Sequence, residues 1–241
     1  VHLNRYWAGA TAALASLAGG AGLAASAPKA PARKTAAPAP APKKPPAEAA
    51  TPGLRVAADK RVELDATVAK REHDDVLMGA IEYLLVTRGG KSYESVFETQ
   101  VKADALDRAL KQVGLKPGGP PKAEDAPPTG AGVKLSVQWK DEAGKDQQAP
   151  AEEMVLDSVE NKPLSGLQWV YTGSKVTEDP ATNKKVLMAM QTNNLISTHR
   201  EDPTVLLMNP LPGASGHRYK RNEARLPKAG TAVKLVFSPG S

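Results

Sequence analysis

The chain changes its hydrophobic rhythm several times, and each change predicts an element. Residues 7–23 have no period: they are Ala, Gly and Leu with small polar residues and no charge, behind a short cationic start at Arg5. This is the pattern of an export signal. Cleavage is expected after Gly22-Leu23-Ala24, and a retained membrane anchor is the alternative, because the run falls a little short of the about 20 apolar residues that span a bilayer. Residues 1–24 are therefore read as signal peptide or anchor. Residues 25–53 set Pro and Ala among Lys29, Arg33, Lys34, Lys43 and Lys44, a composition that cannot bury an apolar face. They read as a disordered tether, able to reach about 80 Å when extended.

From residue 54 a period of two begins. Val62, Leu64, Ala66 and Val68 alternate with Glu63, Asp65 and Thr67, as in a half-buried strand. Residues 77–87 are apolar enough for a central strand, Arg88-Gly89-Gly90-Lys91 reads as a hairpin turn, and residues 93–101 read as the returning strand. The period then lengthens: Leu106, Ala109, Leu110 and Val113 fall at helical spacing, and Gly114 stands where a left-handed cap belongs. Residues 116–132 are broken by prolines and glycines and mark a long loop or a seam between two halves. Alternation resumes at Val133, Leu135, Val137 and Trp139, turns at residues 141–144, and continues in strands over 168–176, 185–190, 194–198, 205–209 and 232–237. Residues 152–159 read as a helical turn or a crossover. The expected class is mainly β, a β-rich α+β domain over residues 54–241, with antiparallel sheets and one or two short helices.

Charge sharpens the picture. Of the formal charge of +6, residues 1–53 hold Arg5 and the five tether cations against Glu48, so the foldable part is left at about +1. A nucleic-acid domain concentrates basic charge on its fold and interleaves aromatics, and this chain is 4% aromatic. No nucleic-acid partner is expected. The absence of cysteine removes disulfides, thiolate nucleophiles, iron–sulfur clusters and cysteine zinc sites together.

Candidate chemistry is sparse. Gly90-Lys91-Ser92 lacks the earlier glycine of a phosphate loop, Leu85 standing in its place, and a strand is expected after it. Glu72-His73-Asp74-Asp75, and His199 with Glu201 and Asp202, offer ligands for a divalent ion, but adjacent residues on an extended chain point apart. Ser215 with His217 does not make a nucleophile elbow. Glu152-Glu153 suits the first turn of a helix. The basic cluster Arg218, Tyr219, Lys220 and Arg221, with Arg225 nearby, is the candidate surface contact for an anionic glycan or an acidic partner. No catalytic residue, metal or cofactor is expected.

Glu82-Tyr83-Leu84-Leu85, the run from Gly90 to Val96, the helical residues 106–114 and Trp169-Val170-Tyr171-Thr172-Gly173-Ser174 together resemble the YdjY-like domain of exported bacterial proteins. The likeness covers residues 54–238. The family has no settled activity to carry over; some relatives are described as ferredoxin-like, a role this cysteine-free chain does not inherit. The resemblance also implies histidine in relatives where this chain has Tyr93, so a metal site built there is not carried over. The expected function is non-catalytic binding in the periplasm or cell envelope, with an envelope protein or surface polymer as partner and membrane contact only if the leader is retained. The alternative is an exported hydrolase or metal-dependent enzyme.

Overall fold

A computed structural model describes residues 50–70, 77–123 and 126–240. The leader, most of the tether and Glu72-His73-Asp74-Asp75 lie outside the described residues. Strands β1 (Leu54–Val56) and β2 (Val62–Val68) pair antiparallel. In β2, Val62, Leu64, Ala66 and Val68 are buried, while Asp65 and Thr67 stay exposed, as the alternation requires. Next come β3 (Tyr83–Thr87), buried throughout, a 3-10 turn at Ser92–Glu94, and β4 (Ser95–Thr99).

Helix α1 (Ala103–Gln112) buries Leu106, Ala109 and Leu110. It stops at Gly114, φ 93°, where the Gly114 N–H donates to the Lys111 carbonyl and the Leu115 N–H to the Leu110 carbonyl. These two bonds form a Schellman cap, which needs the left-handed residue that glycine supplies at least strain. Beyond it lie β5 (Pro117–Gly119), β6 (Thr129–Lys140), β7 (Asp146–Pro150), β8 (Val155–Asp157), β9 (Lys162–Pro163), β10 (Trp169–Tyr171), β11 (Val176–Glu178) and β12 (Lys185–Leu187). The short helix α2 (Ala189–Thr192), β13 (Asn194–Ser197), β14 (Leu207–Met208), β15 (Tyr219–Arg221) and β16 (Ala232–Pro239) complete the order.

The main sheet runs β2, β16, β6, β10, β14, β13, β3, β4, and β4 pairs back onto β2. Eight strands thus close a barrel-like ring. β1 extends it beside β2, while β5 and β7 pair with β6. β3, β4 and β2 make one arc of this ring, and β16, β6, β10, β14 and β13 make the other. Val62 and Leu64, Val133 and Val137, Leu235 and Phe237, Trp169 and Tyr171 share a single core with Leu106 and Leu110 of α1. The mainly β class with two short helices is what the sequence pattern predicts.

One local expectation is corrected. Residues 88–91 do not turn a hairpin: β3 and β4 run parallel, with Tyr83 opposite Ser95 and Thr87 opposite Thr99. The chain leaves Thr87, doubles back through residues 88–94 and starts β4 level with the start of β3. The remaining edges decide this. β13 takes the other side of β3 antiparallel, and β4 must meet β2 antiparallel to close the ring.

Candidate functional site

The doubling back of residues 88–94 assembles a polar cluster at the start of β3. The Glu82 N–H donates to the Glu94 carbonyl, and the Thr198 N–H donates to the Glu82 carbonyl, so the 3-10 turn and the end of β13 flank the same residue. Lys91 Nζ then sits 2.7 Å from Glu82 Oε2 and 3.0 Å from Glu94 Oε2, with its charge 5.8 Å from the Tyr83 ring centroid. Tyr83 donates its hydroxyl to Asp202 at 3.0 Å, and its ring meets His199 edge-on. Tyr93 belongs to the same 3-10 turn.

The electrostatics limit the chemistry available here. Burial opposes the charge on Lys91, but its bonds to Glu82 and Glu94 win and hold its pKa above the ordinary value. It is a fixed ammonium, unsuited to act as base or nucleophile. Burial likewise works against the Glu82 carboxylate, and Lys91 pulls it below the usual range. His199 is 5% exposed, and burial pushes its pKa down against the pull of Glu82, Asp202 and Glu201. Its Nδ1 accepts the Glu201 N–H at 3.2 Å, which assigns the proton to Nε2. That Nε2 is buried with no hydrogen-bond partner. His199 and the carboxylates flagged in the sequence are therefore brought together. Among the described residues, no three His, Asp or Glu side chains are arranged to hold a metal ion.

A larger feature crosses the ring. A trough of about 910 Å³ runs over β7, β6, β16, β2 and β4. Register places Gln148 opposite Gln138, Gln138 opposite Lys234, and Lys234 opposite Asp65. Side chains directly opposite on paired strands share a face, so these four form one polar row. Thr67 lies opposite Glu98, and Lys140 opposite Asp146, on the same face. The cations along the trough are ion-paired: Lys140 with Asp146 at 2.6 Å, Arg88 with Glu98 at 3.2 Å, and Lys234 with Glu63 at 3.1 Å. Gln138 Nε2 donates to Gln148 Oε1 at 2.9 Å. Trp139, of opposite parity in β6, packs against the core.

The basic cluster read from the sequence is distributed by β15. Tyr219 is fully buried. Arg218 pairs with Asp157 at 2.7 Å. Arg221 turns inward and donates to the carbonyls of Ala69 at 3.0 Å, Lys70 at 3.3 Å and Ser95. Lys220 is half-buried between them. Glu152 is buried, which raises its pKa, and Gly90-Lys91-Ser92 leads into a 3-10 turn and a strand. The trough residues went unmarked in the sequence, where each is an ordinary exposed position of a strand; the only signal was their shared parity.

A closed, mixed β-barrel with a polar trough on its outer face and a histidine–carboxylate cluster at one strand start defines a small β-rich domain. The chain belongs to the YdjY domain family, whose model matches residues 57–238. No curated protein and no solved structure matches it.

Proposed function

We propose that this domain is a non-catalytic binding module of the cell envelope, exported by its leader and displayed on its Ala/Pro/Lys tether, with an envelope protein or surface polymer as ligand. The observation that carries this reading is the trough. It lies on a sheet face where Lys140, Arg88 and Lys234 are held in ion pairs and which also displays the amides of Gln138, Gln147 and Gln148 and the hydroxyl of Thr67. Such a face recognises a surface through many hydrogen bonds and offers no activated nucleophile.

Co-sedimentation of the full-length chain with purified envelope fragments tests the reading. Thr67→Arg with Gln138→Arg, which crowds the trough with unmatched charge, should weaken binding about tenfold, or about 1.4 kcal/mol. Lys162→Ala, in β9 and outside the trough lining, should bind normally. Absence of binding by the native chain, or binding indifferent to the trough variant, would sink the proposal.

His199 beside Glu82 and Asp202 favours a second reading, an exported hydrolase. Turnover of carboxylic or phosphoric ester substrates that His199→Asn abolishes, with the trough variant fully active, would replace the binding reading.

A further inference from the structure

Among the described residues, Arg200 is a buried cation with no carboxylate paired to it. It follows His199 in the turn after β13 and is 8% exposed. Its backbone N–H donates to the Ala214 carbonyl at 3.2 Å, and its Nη2 donates to the Ala126 carbonyl. Its Nε is buried with no hydrogen-bond partner, and no carboxylate among the described residues forms an ion pair with it. Leaving that charge buried and unmatched is strongly destabilising, and buried charges are accordingly paired.

Arg200 lines a cleft of about 460 Å³, within the size range of small-ligand sites. Pro120, Pro121 and Pro203 wall it, Ser215 supplies a hydroxyl, and Glu201 stands at the rim. Proline φ angles are fixed, so the apolar walls are preformed. The charge distribution selects the ligand. One buried guanidinium calls for one negative charge, and the 66% exposed Glu201 side chain repels a second. A carboxylate fits the planar donor geometry of arginine; a doubly charged phosphate meets Glu201.

We propose that this cleft binds a monocarboxylate carried on a compact apolar body, with the carboxylate on Arg200 and the body against the prolines. The site is separate from the trough, and neither proposal rests on the other. Two sources present this chemistry, a free organic acid and the C-terminal residue of a peptide.

The test titrates the full-length chain by calorimetry with hexanoate and with tri-alanine, each beside its neutral partner, hexanamide and C-terminally amidated tri-alanine. Both acids should bind at least about tenfold more tightly than their amides, a difference of about 1.4 kcal/mol. The tighter acid identifies the source. Arg200→Met should abolish the preference for acid over amide, and Arg200→Lys, which keeps the charge without the fork, should retain part of it. Ser215→Ala, a change that leaves the buried guanidinium in place, should weaken acid binding several-fold and covers the case in which Arg200→Met does not fold. Equal binding of acids and amides, no binding of either acid, or an acid preference unchanged in Arg200→Met would overturn the site. So would a native chain that binds neither acid and in which Glu124→Gln with Asp125→Asn, two residues outside the described ones, lowers Tm as much as Arg200→Met, because those carboxylates would then be what neutralises Arg200.

Discussion

At the scale of single residues, charge in the sequence does not say which way a side chain turns. Arg218, Lys220 and Arg221 look alike in a basic run, yet β15 sends Arg221 inward as a clamp on three carbonyls from the segments after β2 and at the start of β4. Arg221→Met leaves those carbonyls without their donor and should cost about 3 kcal/mol. At about 2–4 °C per kcal/mol for a domain of this size, Tm should fall by about 10 °C. A Tm within about 2 °C of native, under 1 kcal/mol on the same scale, would show the clamp to be idle. His199 makes a different prediction. Burial lowers its folded pKa, so the folded state holds fewer protons than the unfolded chain. Its contribution is fully present above the unfolded value of about 6.5 and is lost as pH falls through the folded value. The depressed Glu82 carboxyl acts in the same direction at lower pH, below its unfolded value of about 4.3. Between about pH 6.5 and 5 the native chain should therefore lose more Tm than His199→Asn, which keeps an acceptor for the Glu201 N–H and cannot take up a proton. Parallel Tm curves for the two proteins would show that His199 does not titrate in this window.

At the scale of elements, period was the reliable signal. The alternation in β2, β6 and β16 and the helical spacing of α1 with its Gly114 cap were legible because each is a local pattern tied to one buried face. Pairing direction was not legible. Two apolar runs joined by Gly-Gly default to a hairpin, and only the demands of β13 and β2 on the outer edges make β3 and β4 parallel. That return is tight. A Cβ on Gly90 would lie 2.9 Å from the Asn193 carbonyl oxygen and 3.1 Å from that of Thr87, both backbone atoms, one at the cap of α2 and the other at the end of β3. Gly90→Ala should therefore destabilise the domain by about 1–3 kcal/mol and loosen the Lys91 cluster with it. An unchanged Tm, measured with the same pH dependence as the native chain, would mean the return has room to spare. The histidine–carboxylate cluster was half legible for the same reason: His199, Glu201 and Asp202 are neighbours in sequence, whereas Glu82, Lys91 and Glu94 join them only through the parallel return.

At the scale of the whole molecule, closure joins the two ends of the foldable chain. β2 pairs with β16 from Val62 opposite Phe237 to Thr67 opposite Ala232, so residues near the start of the domain and near its end form adjacent strands of one ring. The trough inherits this arrangement: Asp65, Thr67 and Glu98 come from the first part of the chain, and Gln138, Gln148 and Lys234 from the second. No window of sequence contains it, because the two arcs of the ring meet only where β2 pairs with β16 and β3 with β13. Closure also fixes what can be removed. The Asp65 N–H donates to the Gly53 carbonyl and the Leu54 N–H to the Thr51 carbonyl, so the hydrogen-bonded fold begins at about residue 51. Deleting residues 1–49 should leave Tm within about 4 °C of the full chain, about 1–2 kcal/mol at most. Deleting residues 232–241 takes out the strand between β2 and β6, exposes both their edges and opens Leu235 and Phe237 out of the core, so cooperative unfolding should disappear and proteolysis should become rapid. Thermal unfolding and limited proteolysis of the two shortened chains decide the matter. A cooperative transition in the chain without β16 would mean the ring is not the unit of stability, and a large loss on removing residues 1–49 would place part of the tether in the fold.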